Sequence, residues 1–163
     1  MAPSENAASL KGFFFKAAII LAAFGILRYF LKGLLNPIGV PLLVGSMLSS
    51  MTIVLIVTTI LLFLKEGRKP DGGYWKAAGW FALLAIWYQM LVAGGIILTE
   101  RSHADTYYTG PWESMHAKFP SAAAHAVSHL FPGMPAMIVM GCVLGAIVYF
   151  LARRGRPAAA PAA

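Results

Sequence analysis

Apolar residues along the chain gather into four long runs, 13–35, 40–64, 77–98 and 134–151, each bounded by charged or turn-forming residues. A helix that crosses a bilayer needs about 20 predominantly apolar residues. Strands of an outer-membrane barrel would be shorter and would alternate polar with apolar. The pattern therefore predicts an all-α membrane protein, a bundle of four transmembrane helices. Asn36, Pro37, Gly39 and Pro41 predict a tight turn between the first two. A polar loop, 65–76, holds Pro70-Asp71-Gly72-Gly73, and a long outer loop, 99–133, precedes the fourth run. Within it, Pro120-Ser121 followed by AAAHAVSHLF predicts a short amphipathic helix, capped by Ser121 and ended or kinked at Pro132-Gly133. Residues 1–12 form an N-terminal segment. Residues 152–163 form a basic, then alanine- and proline-rich tail whose composition predicts no packed structure.

The first run carries Lys16, Arg28 and Lys32. A charge at the bilayer centre costs about 2.5–3.5 kcal/mol on insertion scales. Lys16 and Arg28 lie near opposite ends, so both are expected to snorkel to the headgroups. A helix lying on the surface would need a polar stripe, and 17–27 has none. A basic start followed by an apolar stretch also suits a signal peptide. No small-residue cleavage site precedes a polar region, so the run reads as an uncleaved first helix.

Composition agrees. Of 163 residues, 59% are hydrophobic and 12% charged, about half the charged share of a soluble domain, and the mean hydropathy is +0.71. A disordered chain, a coiled coil and an ordinary soluble enzyme are excluded. The net charge of +7 does not imply nucleic acid, because most of the basic residues flank the apolar runs. They set the orientation instead. Lys11, Lys16, Lys65, Arg68, Lys69, Lys76, Arg153, Arg154 and Arg156 share one side, against Arg28, Lys32, Arg101 and Lys118 on the other. Both termini are expected in the cytoplasm, with loop 99–133 extracytoplasmic, and the membrane is taken as a bacterial inner membrane. Phe13–Phe15, Tyr74-Trp75 and Tyr149-Phe150 suit the membrane edges. The lone Cys142 allows no internal disulfide and reads as a buried, inert thiol.

None of the four runs contains Asp, Glu or His. That excludes a small exchanger built on a membrane-embedded glutamate and a b-type haem held by histidines between the spans. Paired cysteines for thiol oxidation are absent. Three candidate constellations remain. Gly45 with Ser49, and Gly141 with Gly145, are small residues four apart that suit close helix packing, within the bundle or against another subunit. Trp87, Tyr88 and Gln89 offer a small-molecule or quinone pocket in the third run. In the outer loop, His125 and His129 share a helix face. They predict a copper or zinc site, with His116, His103, Glu113 or Asp105 completing the set. Met115, Met134 and Met137 nearby tilt the choice to copper. HAVSH lacks the glutamate of a metalloprotease motif, and clustered histidines also suit pH sensing. The stretch from Tyr107 to Trp112 reads as an interfacial anchor or a docking surface. The expected function is a small, non-catalytic accessory or structural subunit of a larger membrane complex, in contact with lipid and with other membrane subunits or further copies of itself. The alternatives are an extracytoplasmic metal-binding protein, and an enzyme or carrier with a pocket near Gln89.

Overall fold

The first long helix, α1 (Glu5–Leu35), ends in a 3-10 turn, Asn36–Ile38. Pro37 favours that turn, and Gly39 closes it at φ +73, where a side chain would be strained. This computed structural model describes residues 5–108 and 119–155. The next run forms two helices rather than one, α2 (Leu42–Leu48) and α3 (Met51–Arg68). The serines between them make the break. Ser49 Oγ donates to the Gly45 carbonyl at 3.1 Å and to that of Ser46 at 3.4 Å. Ser50 then caps the new helix, accepting from the Ile53 amide at 3.3 Å. Hydroxyls that compete for backbone partners favour such breaks, and in lipid every freed backbone group needs one.

Lys69 to Gly73 turn the chain into α4 (Tyr74–Ser102), which ends at His103 in the left-handed region, φ 52. After the undescribed residues 109–118, Ser121 caps α5 (Ala122–Ser128), its side chain accepting from Ala124 N at 3.1 Å. A π-helical turn, His129–Gly133, joins it directly to α6 (Met134–Arg154). Pro132 has no amide to donate, which frees a carbonyl one turn back and favours the wider turn. The expected loop helix and fourth span are thus one continuous helical run.

No strand occurs among the described residues, and four helical stretches are long and apolar enough to cross a membrane: Leu10–Ile38, Val44–Arg68, Tyr74–Ser102 and Ala122–Arg154. The third is central, 44% of its apolar window being buried against 11% for the fourth. α4 packs against α1, α3 and α6, and α3 lies along α6. Leu21, Leu55, Phe63, Phe81, Leu84 and Ile96 belong to the shared core. Lipid tails are as apolar as leucine, so close packing and hydrogen bonds hold such a bundle more than removal from water does. Gly141 and Gly145 serve that packing. A Cβ on Gly141 would lie 1.9 Å from the Phe81 ring, and one on Gly145 would lie 2.3 Å from that of Phe63.

The end of the bundle that holds loop 65–76, here the proximal end, is closed by polar contacts. Tyr149 donates to the Gly72 carbonyl at 2.7 Å and accepts from Arg153 at 2.8 Å. Tyr74 donates to the Cys142 carbonyl at 2.9 Å. Tyr149 is therefore buried in the seam between two helices, while Trp75 is exposed.

Candidate functional site

At the opposite, distal end, the chain leaving α4 folds back into the bundle. Thr106 is fully buried and its hydroxyl lies 2.8 Å from that of Thr99. The Tyr107 amide donates to the Arg28 carbonyl at 3.3 Å. Asp105 pairs with Lys32 and accepts from Asn36 Nδ2 at 3.2 Å. Residues 104–108 thus form a strap pinned to α1 and α4, and it drives Tyr107 and Tyr108 inward.

Three glycines make room for those rings. A Cβ on Gly45 would fall 1.7 Å from the Tyr107 hydroxyl, and one on Gly95 would fall 2.4 Å from the Tyr108 ring. One on Gly25 would fall 2.9 Å from the Tyr108 hydroxyl, which donates to the Gly25 carbonyl at 3.0 Å. Burial pushes the Tyr108 hydroxyl up to about 12, against the pull of Arg28, so it remains a donor at neutral pH. Tyr107 is 7% exposed, and its hydroxyl has no hydrogen-bond partner among the described residues. Of the expected anchor stretch, 107–112, the two described residues turn into the bundle, and 109–112 lie outside the described residues.

Arg28 stands among these tyrosines. Its guanidinium lies 5.7 Å from the centroid of the Tyr108 ring, with Tyr88 and Tyr107 as further electrostatic neighbours. The Tyr88 hydroxyl is 2.8 Å from that of Thr52, in the first turn of α3. Among the described residues no carboxylate pairs with Arg28. The Arg28 side chain is half-buried against this aromatic face.

Tyr108 also borders a cavity of about 420 Å³, a groove between α1 and α4 lined by Ala22, Gly25, Trp87, Gly94 and Leu98 among others. Its walls are almost wholly apolar. Trp87 Nε1 donates across it to the Ala18 carbonyl at 3.1 Å. The three neighbours Trp87, Tyr88 and Gln89 therefore face different surroundings. Trp87 lines the groove and Tyr88 meets Thr52. Gln89 is buried toward α6, with Nε2 3.7 Å from Met137 Sδ and Oε1 unpartnered. Of the three, only Trp87 lines this groove.

His125 and His129 do come together. Their Nε2 atoms are 3.3 Å apart, and the Phe119 ring stacks on His125 at 4.4 Å and 8°. The Nδ1 of His125 is buried and unpartnered. Among the described residues no third His, Cys, Asp or Glu joins them. Met115 and His116 lie outside the described residues, and Met134 is the first residue of α6. Glu100 is engaged elsewhere, its carboxylate accepting from the Ala122 amide at 3.5 Å. Gly45 and Ser49, expected at a helix interface, flank the helix break, where Gly45 seats Tyr107.

Comparison with known proteins brings no match: no family model fits the chain, and no curated protein or solved structure is significantly similar to it. The grouping of Arg28 with the two tyrosines is what sequence reasoning missed. The available signal was the absence of any acidic residue near Arg28 on its own helix face.

Proposed function

We propose that this protein, a four-span membrane protein, binds a transition metal at the distal end of its bundle through His125 and His129. In a bacterial inner membrane, the lysine and arginine bias supports both termini in the cytoplasm, which makes the metal end extracytoplasmic. The observation that carries the reading is the 3.3 Å between the two Nε2 atoms. Two nitrogens bound to one tetrahedral ion at about 2.0–2.1 Å lie about 3.3–3.4 Å apart. That spacing favours zinc or copper(I) over square-planar copper(II). With two protein ligands and no acceptor on His125 Nδ1, affinity is lower than in a fully built site, which suits exchange of the ion rather than permanent retention.

Purified protein is expected to take up zinc, and cobalt(II) in its place should give the visible absorption of a tetrahedral site. His125→Ala and His129→Ala should each lower zinc affinity by about tenfold or more, since half of the protein ligands are gone. Unchanged zinc uptake in both variants would refute the reading.

A second reading, an accessory subunit of a larger complex, is favoured by α6. Val139, Met140, Val143, Ile147 and Phe150 are all exposed along it, a face able to take a neighbouring helix. The Gly141 and Gly145 pair gives this reading less support than their spacing suggests, since both seat aromatic rings of the same chain. Native mass spectrometry of protein gently extracted from its own membrane tests it. Additional chains in fixed ratio support an accessory role, and a lone chain removes it.

A further inference from the structure

Two cations stand one turn apart on α1. Lys32, 5% exposed, lies nearer the distal rim and has its counter-ion in Asp105. Arg28 lies one helical turn deeper, about 6 Å, where a charge is harder to sustain. It has no counter-ion among the described residues. The other acidic side chains among the described residues are committed or remote: Glu66 pairs with Lys69 at the proximal end, where Asp71 also lies, and Glu100 meets the start of α5; Glu113 lies outside the described residues. A cation over a tyrosine face gains about 0.5–2 kcal/mol, less than the cost of a fully unpaired charge in a bilayer. Arginine also offers five donors in a fork that fits phosphate oxygens. Beside it, Tyr107 has a buried hydroxyl with no acceptor. Among the described residues the head of this region therefore has unused donors and no anion.

The groove supplies the rest. It runs along α4 from Trp87 to Leu98, about 16 Å at the helical rise, which is close to half of a hydrocarbon core of about 30 Å. It is apolar along that length, and one of its walls is Tyr108, over which Arg28 lies. One acyl chain of one leaflet matches it in depth and chemistry.

We propose that the distal half of the bundle binds an anionic phospholipid of the surrounding bilayer, its phosphate at Arg28 and one acyl chain in the groove between α1 and α4. The site is separate from the histidine pair and does not depend on it. The charge on Arg28 selects the head, and the glycine-lined wall admits the chain.

The test loads the full-length protein in nanodiscs of equal phosphatidylglycerol and phosphatidylcholine, extracts it, and counts retained lipid by native mass spectrometry. Wild type should keep phosphatidylglycerol in preference to phosphatidylcholine. Arg28→Gln should lower that retention about tenfold or more, the usual effect of losing a charged hydrogen-bond partner, and Arg28→Lys should fall between. Gly94→Leu fills the groove, because a Cβ on Gly94 meets nothing within 4 Å, and it should reduce retention of both lipids. Equal retention by wild type and folded Arg28→Gln would overturn the proposal, as would wild type showing no preference between the two headgroups. If Arg28→Gln fails to fold, Gly94→Leu decides, and full lipid retention in that variant rejects the site.

Discussion

Asp105→Ala lowers the stability of the detergent-solubilised protein by about 2–3 kcal/mol, while Lys32→Met changes it by less than about 1 kcal/mol. The asymmetry follows from where the two groups sit. Lys32 is buried among helices, whereas the Asp105 side chain is 62% exposed. Removing Asp105 strands an ammonium in a poorly solvated place and also frees Asn36 from its 3.2 Å contact. Removing Lys32 leaves a carboxylate that water can solvate, and methionine fills the vacated volume. The double variant should return to the stability of Lys32→Met alone, the signature of two groups acting through each other. Thermal unfolding of all four proteins in one detergent provides the measurement. Equal losses from the two single variants would refute the asymmetry of burial, and additive losses in the double variant would show that the pair does not hold the strap.

Gly145→Ala should cost about 1–3 kcal/mol, the usual penalty for overpacking a filled core. The new methyl would stand 2.3 Å from the ring of Phe63, which is fully buried and has nowhere to go. Gly79→Ala is the control. Nothing lies within 4 Å of its Cβ position in α4, so it should be neutral or gain up to about 1 kcal/mol from helix propensity. Trimming the ring with Phe63→Leu in the Gly145→Ala background should recover part of the loss. A neutral Gly145→Ala would mean that α3 and α6 are not as closely opposed as the Phe63 contact requires.

The four spans were legible because each apolar run is long enough to leave no other home for its backbone. The histidine pair was legible because i and i+4 fix a shared face, whatever the surroundings. The break in the second run was readable in principle. Ser46, Ser49 and Ser50 were there to be seen, but a serine that decorates a helix and a serine that ends one differ only in what its hydroxyl bonds. Arg28 was harder. Its position gives its depth, but whether a long side chain climbs to the headgroups or turns inward depends on its neighbours from other helices. Tyr107 and Tyr108 were harder still. Hydropathy reads a polar segment as loop, and the seats that draw it back inward, Gly25, Gly45 and Gly95, come from three different helices with no common spacing.

Those seats also impose an order of events during synthesis. A chain is made from its N-terminus, and earlier segments begin to associate first. Gly25, Gly45 and Gly95 all precede the tyrosines that occupy them, so the first three membrane-crossing helices meet with a slot still vacant between them. Seating the strap fills that slot with the two tyrosine rings and brings Asp105 to Lys32. The slot between the first three helical stretches is closed from outside them, by a polar segment, before α6 arrives to pack on α3 and α4.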